Sequence, residues 1–282
     1  YLTVLKKVIF VLSGSSALEL SNSINEPLTG RKFEFLLLPF STQELVNHFG
    51  RLEEERQLEQ RLIYGFYPDI VLHPAEAKER LTALVSSYLY KDIFTYQDVR
   101  KPDLLPNLLE AIARQVGNEV SYLELGSLIG ADGETTKRYI DLLEKNFVLF
   151  RLRSFSRNLR NELKKSRKIY FYDNGVRNAI LGNYQALELR TDIGALWENF
   201  CISERIKMHH FNRTEVKPYF WRTKQQQEID YIEDINGEII AYECKWNPAA
   251  KATFSSSFIN EYKPKETRVM HRENYMDFLL RS

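Results

Sequence analysis

The stretch EIDYIEDINGEIIAYECKW, Glu228–Trp246, reads as two strands joined by Asn236-Gly237. A type I′ turn needs φ > 0 at both central residues, and Asn-Gly is the strongest short signal for it. With those two residues as the turn, Ile235 faces Glu238 and the remaining pairs follow in step. Asp230 then stands opposite Glu243, and Glu228 opposite Lys245. Opposed residues project to one side of a sheet, so all four ionisable side chains are expected on one face. Like charges directly opposed are destabilising, and a divalent cation between Asp230 and Glu243 would offset their repulsion. The plainer alternative is a solvated strand face on which Glu228 and Lys245 form a cross-strand ion pair.

The residues between them point the other way. Ile240, Tyr242, Cys244 and Trp246 are expected in the core. Cys244 has no histidine near it in sequence to activate it as a nucleophile. His209-His210 closes a helix with no second ligand pair at zinc spacing, and is expected on the surface.

The chain of 282 residues is 44% hydrophobic and 27% charged, the balance of a globular protein of two or three domains. Its net charge of +1 gives no global attraction to polyanions, so any nucleic-acid contact must be local. Two cysteines, Cys201 and Cys244, cannot form a disulfide framework and fit a reducing, cytoplasmic setting. No apolar run is long enough to span a bilayer, and no membrane role is expected. The sequence starts at Tyr1 rather than Met, which suggests a piece of a longer protein.

Val8–Leu12 (VIFVL) has the character of a buried parallel strand and ends in the polar turn SGSS, Ser13–Ser16. Ser41 with Glu44 three residues on predicts a capping box at a helix start. Helices are expected over Leu52–Tyr64, broken by Gly65–Pro68, and over Ala75–Tyr96. The two prolines of Val99–Pro106 mark a boundary. Three helices are then expected at Leu104–Val116, Val120–Gly130 and from Glu134 on, the last carrying the buried stripe Tyr139, Leu142, Leu143 and Phe147. Arg151–Asp173 forms two strand-like ends around a basic loop. Helix, turn, helix and basic hairpin is the order of a winged helix. From Asp192 a long helix leads to strands around Trp221 and Asp230, the ECK strand, a helix near Phe254–Tyr262 and a strand around Thr267–His271.

Within Arg151–Lys168, eight cations (Arg151, Arg153, Arg157, Arg160, Lys164, Lys165, Arg167 and Lys168) stand against one acid, Glu162. Such a cluster in a near-neutral chain is expected to contact phosphates, independently of sequence and sensitively to salt, with Arg157, Arg160, Lys164 and Lys165 as candidates. A solvated hairpin or a protein contact is the alternative.

Asp, a dozen residues, then Glu-x-Lys across a hairpin resembles the PD-(D/E)xK nuclease core over roughly the last ninety residues. The matching positions are Asp230, Glu243 and Lys245, and Glu198 in ALWENF matches the glutamate that many members add from the preceding helix, an exposed helix residue being the alternative for it. The resemblance implies Mg²⁺ held by Asp230 and Glu243. Phosphodiester hydrolysis suits a hard cation on carboxylate oxygen, which acidifies its bound water. A lysine two residues from the ligating glutamate can orient that water or stabilise the crowded phosphorus.

Upstream, the strand ending in SGSS, PLTGR, LLPFSTQEL, YGFYPDIV (Tyr64–Val71), SSYLYKDIF (Ser86–Phe94) and YFYDNGVRNAILG (Tyr170–Gly182) resemble, in that order, a family of bacterial and archaeal AAA+-like ATPases with a C-terminal region of unassigned function. The resemblance implies a sensor-like Ser13 or Ser15 and a charge-stabilising Arg31. A common polar turn and a surface cation are the alternatives. No G-x-x-x-x-G-K-[ST] occurs, so the phosphate cradle is expected upstream, with ATP bound only by the full-length protein.

The resulting expectation is an α/β chain. Residues 1–98 form the C-terminal part of an AAA+-like P-loop ATPase domain, 99–185 a winged-helix module, and 186–282 a PD-(D/E)xK nuclease-like domain. The expected function is ATP-dependent action on nucleic acid with metal-dependent phosphodiester cleavage. The alternative is a catalytically silent nuclease fold serving as a regulatory or protein-interaction module.

Overall fold

A computed structural model describes residue 33 and residues 35–87, 103–156 and 167–280. The chain is mixed α/β. The first described helices are α1 (Thr42–Phe49), α2 (Arg51–Arg56), α3 (Leu58–Tyr64), α4 (Pro68–Leu72) and α5 (Ala77–Leu84). The capping box at Ser41 and Glu44 forms as the sequence predicts. Next come α6 (Leu104–Arg114), β1 (Glu119–Val120), α7 (Tyr122–Ile129), α8 (Gly133–Lys145), β2 (Leu149–Ser154), β3 (Arg167–Phe171) and α9 (Asn174–Leu181). The chain closes with α10 (Ile193–Phe211), β4 (Lys217–Arg222), β5 (Glu228–Ile235), β6 (Glu238–Cys244), α11 (Ser256–Tyr262), β7 (Glu266–Met270) and α12 (Tyr275–Leu279). Among the described residues, no helix is long and apolar enough to cross a membrane.

Among the described residues, one sheet of seven strands in the order β1-β3-β2-β4-β5-β6-β7 runs through both halves. The expected division near residue 186 carries no break in it, because β2 pairs in parallel with β4 through Arg153↔Tyr219 and Ser154↔Phe220. Both faces of its C-terminal half are covered. Tyr231, Tyr242 and Cys244 join the main core with Trp197 and Phe200 of α10. Ile229, Ile232, Ile239 and Ala241 pack on the other side against Phe258 and Tyr262 of α11.

The Asn236-Gly237 turn has φ of 55° and 88°, and Ile235 pairs with Glu238. The register expected from the turn therefore holds as far as Tyr231↔Tyr242. Strict alternation then fails. Two steps along β4, from Tyr219 to Trp221, match three steps along β5, from Ile232 back to Ile229. The extra residue is a β-bulge at Asp230-Tyr231, which re-aims the side chains around it.

The motifs YGFYP and YDNG interlock. Asp173 caps α9 by accepting from Val176 N at 3.1 Å and also accepts from Phe66 N at 2.6 Å. Asn178 Nδ2 donates to the carbonyls of Leu62 and Ile63, two of the unpaired groups at the end of α3. Gly65 and Gly175 are required by contact, since a Cβ would lie 2.0 Å from Asp173 Oδ1 and 2.1 Å from Tyr64 O respectively.

Two further expectations are corrected. Phe147 lies beyond α8 with φ of 56° and is half-buried, so the helical stripe ends at Leu143. His209 is buried rather than on the surface, because its Nε2 lies 2.7 Å from Glu233 Oε1 in an ion cluster with Arg205.

Candidate active site

Helix α10 is fixed to the sheet at two points, which sets where Glu198 can reach. Asn199 accepts from Phe171 N at 2.8 Å and donates to Phe171 O at 3.1 Å, clamping the helix to β3. Trp197 Nε1 donates to Met270 O of β7 at 3.3 Å. Glu198, between them, meets β3 side chains. Its Oε1 accepts from Tyr170 OH at 2.6 Å and lies 3.1 Å from Lys168 Nζ. Gly117 makes room above, where a Cβ would stand 3.2 Å from Glu198 Oε1.

The bulge and the end of the β5–β6 ladder place the other acids. Past Tyr231↔Tyr242 the two strands no longer pair residue for residue. Instead Asp230 Oδ2 accepts from Cys244 N at 2.8 Å, so a carboxylate stands in for a strand carbonyl. Lys245, just beyond β6, places Nζ 2.7 Å from Glu243 Oε2 and 3.5 Å from Asp230 Oδ2. One ammonium thus lies within reach of both carboxylates, as a shared cation would. Glu228 does not join them. The expected Glu228–Lys245 pair is replaced by Glu228 with Lys168 and with Arg222 Nη1 at 3.6 Å, because the bulge breaks the alternation that would have put all four on one face.

Electrostatics follows from crowding. Burial pushes the Glu243 carboxyl up to about 7, reinforced by the negative charge of Asp230 and opposed by Lys245. Burial likewise pushes Glu198 up to about 7, with Lys168 opposing and Asp230 adding to the rise. Two carboxyls that hold a proton near neutrality beside a third are the donor set a divalent cation relieves. Asp230 and Glu243 both present hard carboxylate oxygen to the Lys245 ammonium, the donor type that Mg²⁺ prefers. The fit does not extend to a larger ligand set. Among the described residues, no three His, Cys, Asp or Glu side chains are grouped to hold a metal.

Sequence reasoning missed Lys168 and Tyr170 as site residues. Lys168 belongs by sequence to the basic cluster of Arg151–Lys168, yet it is 1% exposed. Arg151 of that cluster is also tied down, with Nε 2.9 Å from Glu144 Oε2 and Nη1 2.9 Å from Tyr122 OH. Alternation along β3 next to a helix carrying a glutamate is the only signal that could have found Lys168. Arg157, Arg160, Lys164 and Lys165 lie outside the described residues, as do Ser13, Ser15, Arg31 and the strand expected at Val8–Leu12. An open cleft bounded by Ile259, Lys263 and Thr267 lies at the opposite end of β6, and none of these acids lines it.

Two family models match the chain, each described as a domain of unknown function. DUF8612 matches residues 55–186 and DUF4143 matches residues 193–277. The second match contains Glu198, Asp230, Glu243 and Lys245 together. An uncharacterized protein of Haemophilus influenzae is 26% identical over 61% of this chain and 46% of its own length. Uncharacterized proteins of Mycobacterium bovis and Mycobacterium tuberculosis are 29% identical over 48% of this chain and 30% of theirs. The chain therefore spans less than half the length of these curated relatives. No solved structure matches.

Proposed function

We propose that the β5–β6 hairpin and α10 form a metal-dependent phosphodiesterase site of the PD-(D/E)xK type, acting on nucleic acid within a longer ATP-binding protein. The observation that carries this reading is Lys245 Nζ set between the carboxylates of Asp230 and Glu243 at the end of β6. Asp230 and Glu243 would hold Mg²⁺, which when bound supplies an acidified water and neutralises charge on the phosphate. Lys245, with 31% of its side chain exposed, is the group that can turn to a phosphate oxygen. Glu198, near neutrality in its proton affinity, can exchange a proton with solvent or the leaving oxygen. The order α6-β1-α7-α8-β2-β3 supports a winged-helix reading of residues 104–171, with Arg157, Arg160, Lys164 and Lys165 holding the polyanion.

The test is cleavage of supercoiled, linear and single-stranded DNA and of RNA with Mg²⁺ or Mn²⁺, by the wild type and by Asp230→Asn, Glu243→Gln and Lys245→Met. Cleavage by the wild type is expected, with a loss of at least about 100-fold in each variant. No cleavage of any substrate would favour the second reading, a silent fold used for protein interaction. That reading has its own support, since Asp230 and Glu243 share Lys245 and Glu198 pairs with Lys168. The ATP part is tested by calorimetric titration. No affinity is expected for this chain, and ATP binding through Ser13, Ser15 and Arg31 is expected only in the full-length protein.

A further inference from the structure

Four acids converge on the end of the hairpin, yet they divide into two pairs, each with its own ammonium. Lys245 serves Asp230 and Glu243. Lys168 serves Glu198, at 3.1 Å, and Glu228, in direct contact. The second lysine differs from the first in kind. Lys168 is 1% exposed, sits on an inner strand between β1 and β2, and has its Nζ 5.5 Å from the centre of the Phe220 ring. Lys245 reaches the solvent, whereas Lys168 has nowhere to go.

A buried ammonium is expensive to desolvate and persists only where fixed negative charge surrounds it. Here Glu198, Glu228 and the field of Asp230 supply that charge and hold Lys168 protonated. Arg222 adds a second positive group beside Glu228, and Tyr170 OH donates to the Glu198 oxygen that Lys168 also contacts. Glu198 and Glu228 are therefore already paired by one buried cation, as a second metal ion would pair them in a two-metal site.

We propose that Lys168 is a built-in substitute for a second metal ion, so that this site takes one divalent cation, at Asp230 and Glu243, and never two. The inference rests on the function proposed above. It makes Lys168 a positioning residue that acts through Glu198 and does not touch substrate. It also makes Glu198 a partner of Lys168 and Tyr170 rather than a metal ligand.

The experiment is Mn²⁺ titration of the full chain, by calorimetry and by the electron paramagnetic resonance of free Mn²⁺. The wild type should bind one ion per chain. Asp230→Asn and Glu243→Gln should weaken it at least tenfold, while Glu228→Gln and Glu198→Gln leave it within about threefold. Lys168→Met, which keeps the length and removes the charge, should admit a second ion that Glu198→Gln removes again. Lys168→Arg should keep one. Two ions in the wild type, or no more ions in Lys168→Met than in the wild type, would overturn the proposal. Should Lys168→Met fail to fold, a tenfold loss of affinity on Glu198→Gln alone makes Glu198 a ligand and overturns it equally. A wild type that binds nothing, beside a Lys168→Met variant that binds one ion through Glu198, would sink the nuclease reading and still support the role of Lys168. No ion in either protein overturns both.

Discussion

The backbone N–H of Cys244 donates to the carboxylate of Asp230 at 2.8 Å, a bond that belongs as much to the fold as to the chemistry. It holds β5 and β6 together where their ladder has stopped. The acid is thereby committed to one position, with its charge directed at Lys245 and Glu243.

This double role can be separated. Asp230→Asn keeps an oxygen for Cys244 N and loses only the charge. Its stability should stay within about 1 kcal/mol of the wild type while Mn²⁺ affinity falls at least tenfold. Asp230→Ala leaves the buried N–H without an acceptor and should cost about 1–3 kcal/mol in urea unfolding. Equal stability of the two variants would show that the bond is not made.

Glu233 gives a pH dependence of definite sign. Burial alone would raise its carboxyl, but the hydrogen bond of His209 and the charge of Arg205 reverse this and hold it at about 2, against an ordinary 4.5. A depressed carboxyl contributes stability that is complete above the unfolded value and lost as pH falls toward the folded one. The stability difference between wild type and Glu233→Gln should therefore be constant above about pH 5 and shrink between about pH 4.5 and pH 2. At neutral pH the variant leaves Arg205 and His209 with no carboxylate and should lose about 3–5 kcal/mol. A difference that grows on acidification would refute the account.

The interlock of YGFYP with YDNG predicts that Gly175→Ala is severe. Its methyl would sit 2.1 Å from the carbonyl oxygen of Tyr64, and backbone cannot yield as a side chain does. A loss of about 3 kcal/mol or insoluble expression is expected. By contrast Gly194→Ala, where nothing lies within 4 Å, should be neutral or slightly stabilising in thermal melts.

Replacing Arg157, Arg160, Lys164 and Lys165 together by alanine should weaken DNA binding and flatten its salt dependence. The expected change is about 0.9 of a log unit of slope for each phosphate that is no longer neutralised. An unchanged slope would move the binding surface away from these four residues.

The sequence by itself determined the elements whose causes are local. Asn236-Gly237 dictated its turn, and the turn dictated the register as far as Tyr231↔Tyr242. Ser41 and Glu44 likewise announced their cap. These follow from φ, ψ preference and from hydrogen bonds between residues a few positions apart, which a single sequence displays. The tertiary structure decided everything that depends on which other surface a segment meets. Lys168 and Arg151 belong by charge to a basic run, yet burial against α10 turns one into a site cation and the contact with α8 turns the other into a strut. His209 looks like a solvent-facing helix end until Glu233 arrives from β5. The parallel pairing of β2 with β4 joins two segments expected in separate domains. The bulge at Asp230 parts Glu228 from Lys245, although alternation puts them on one face. In each case the deciding energy is desolvation or pairing of a group by a partner that another element supplies, and no local pattern encodes which partner that will be.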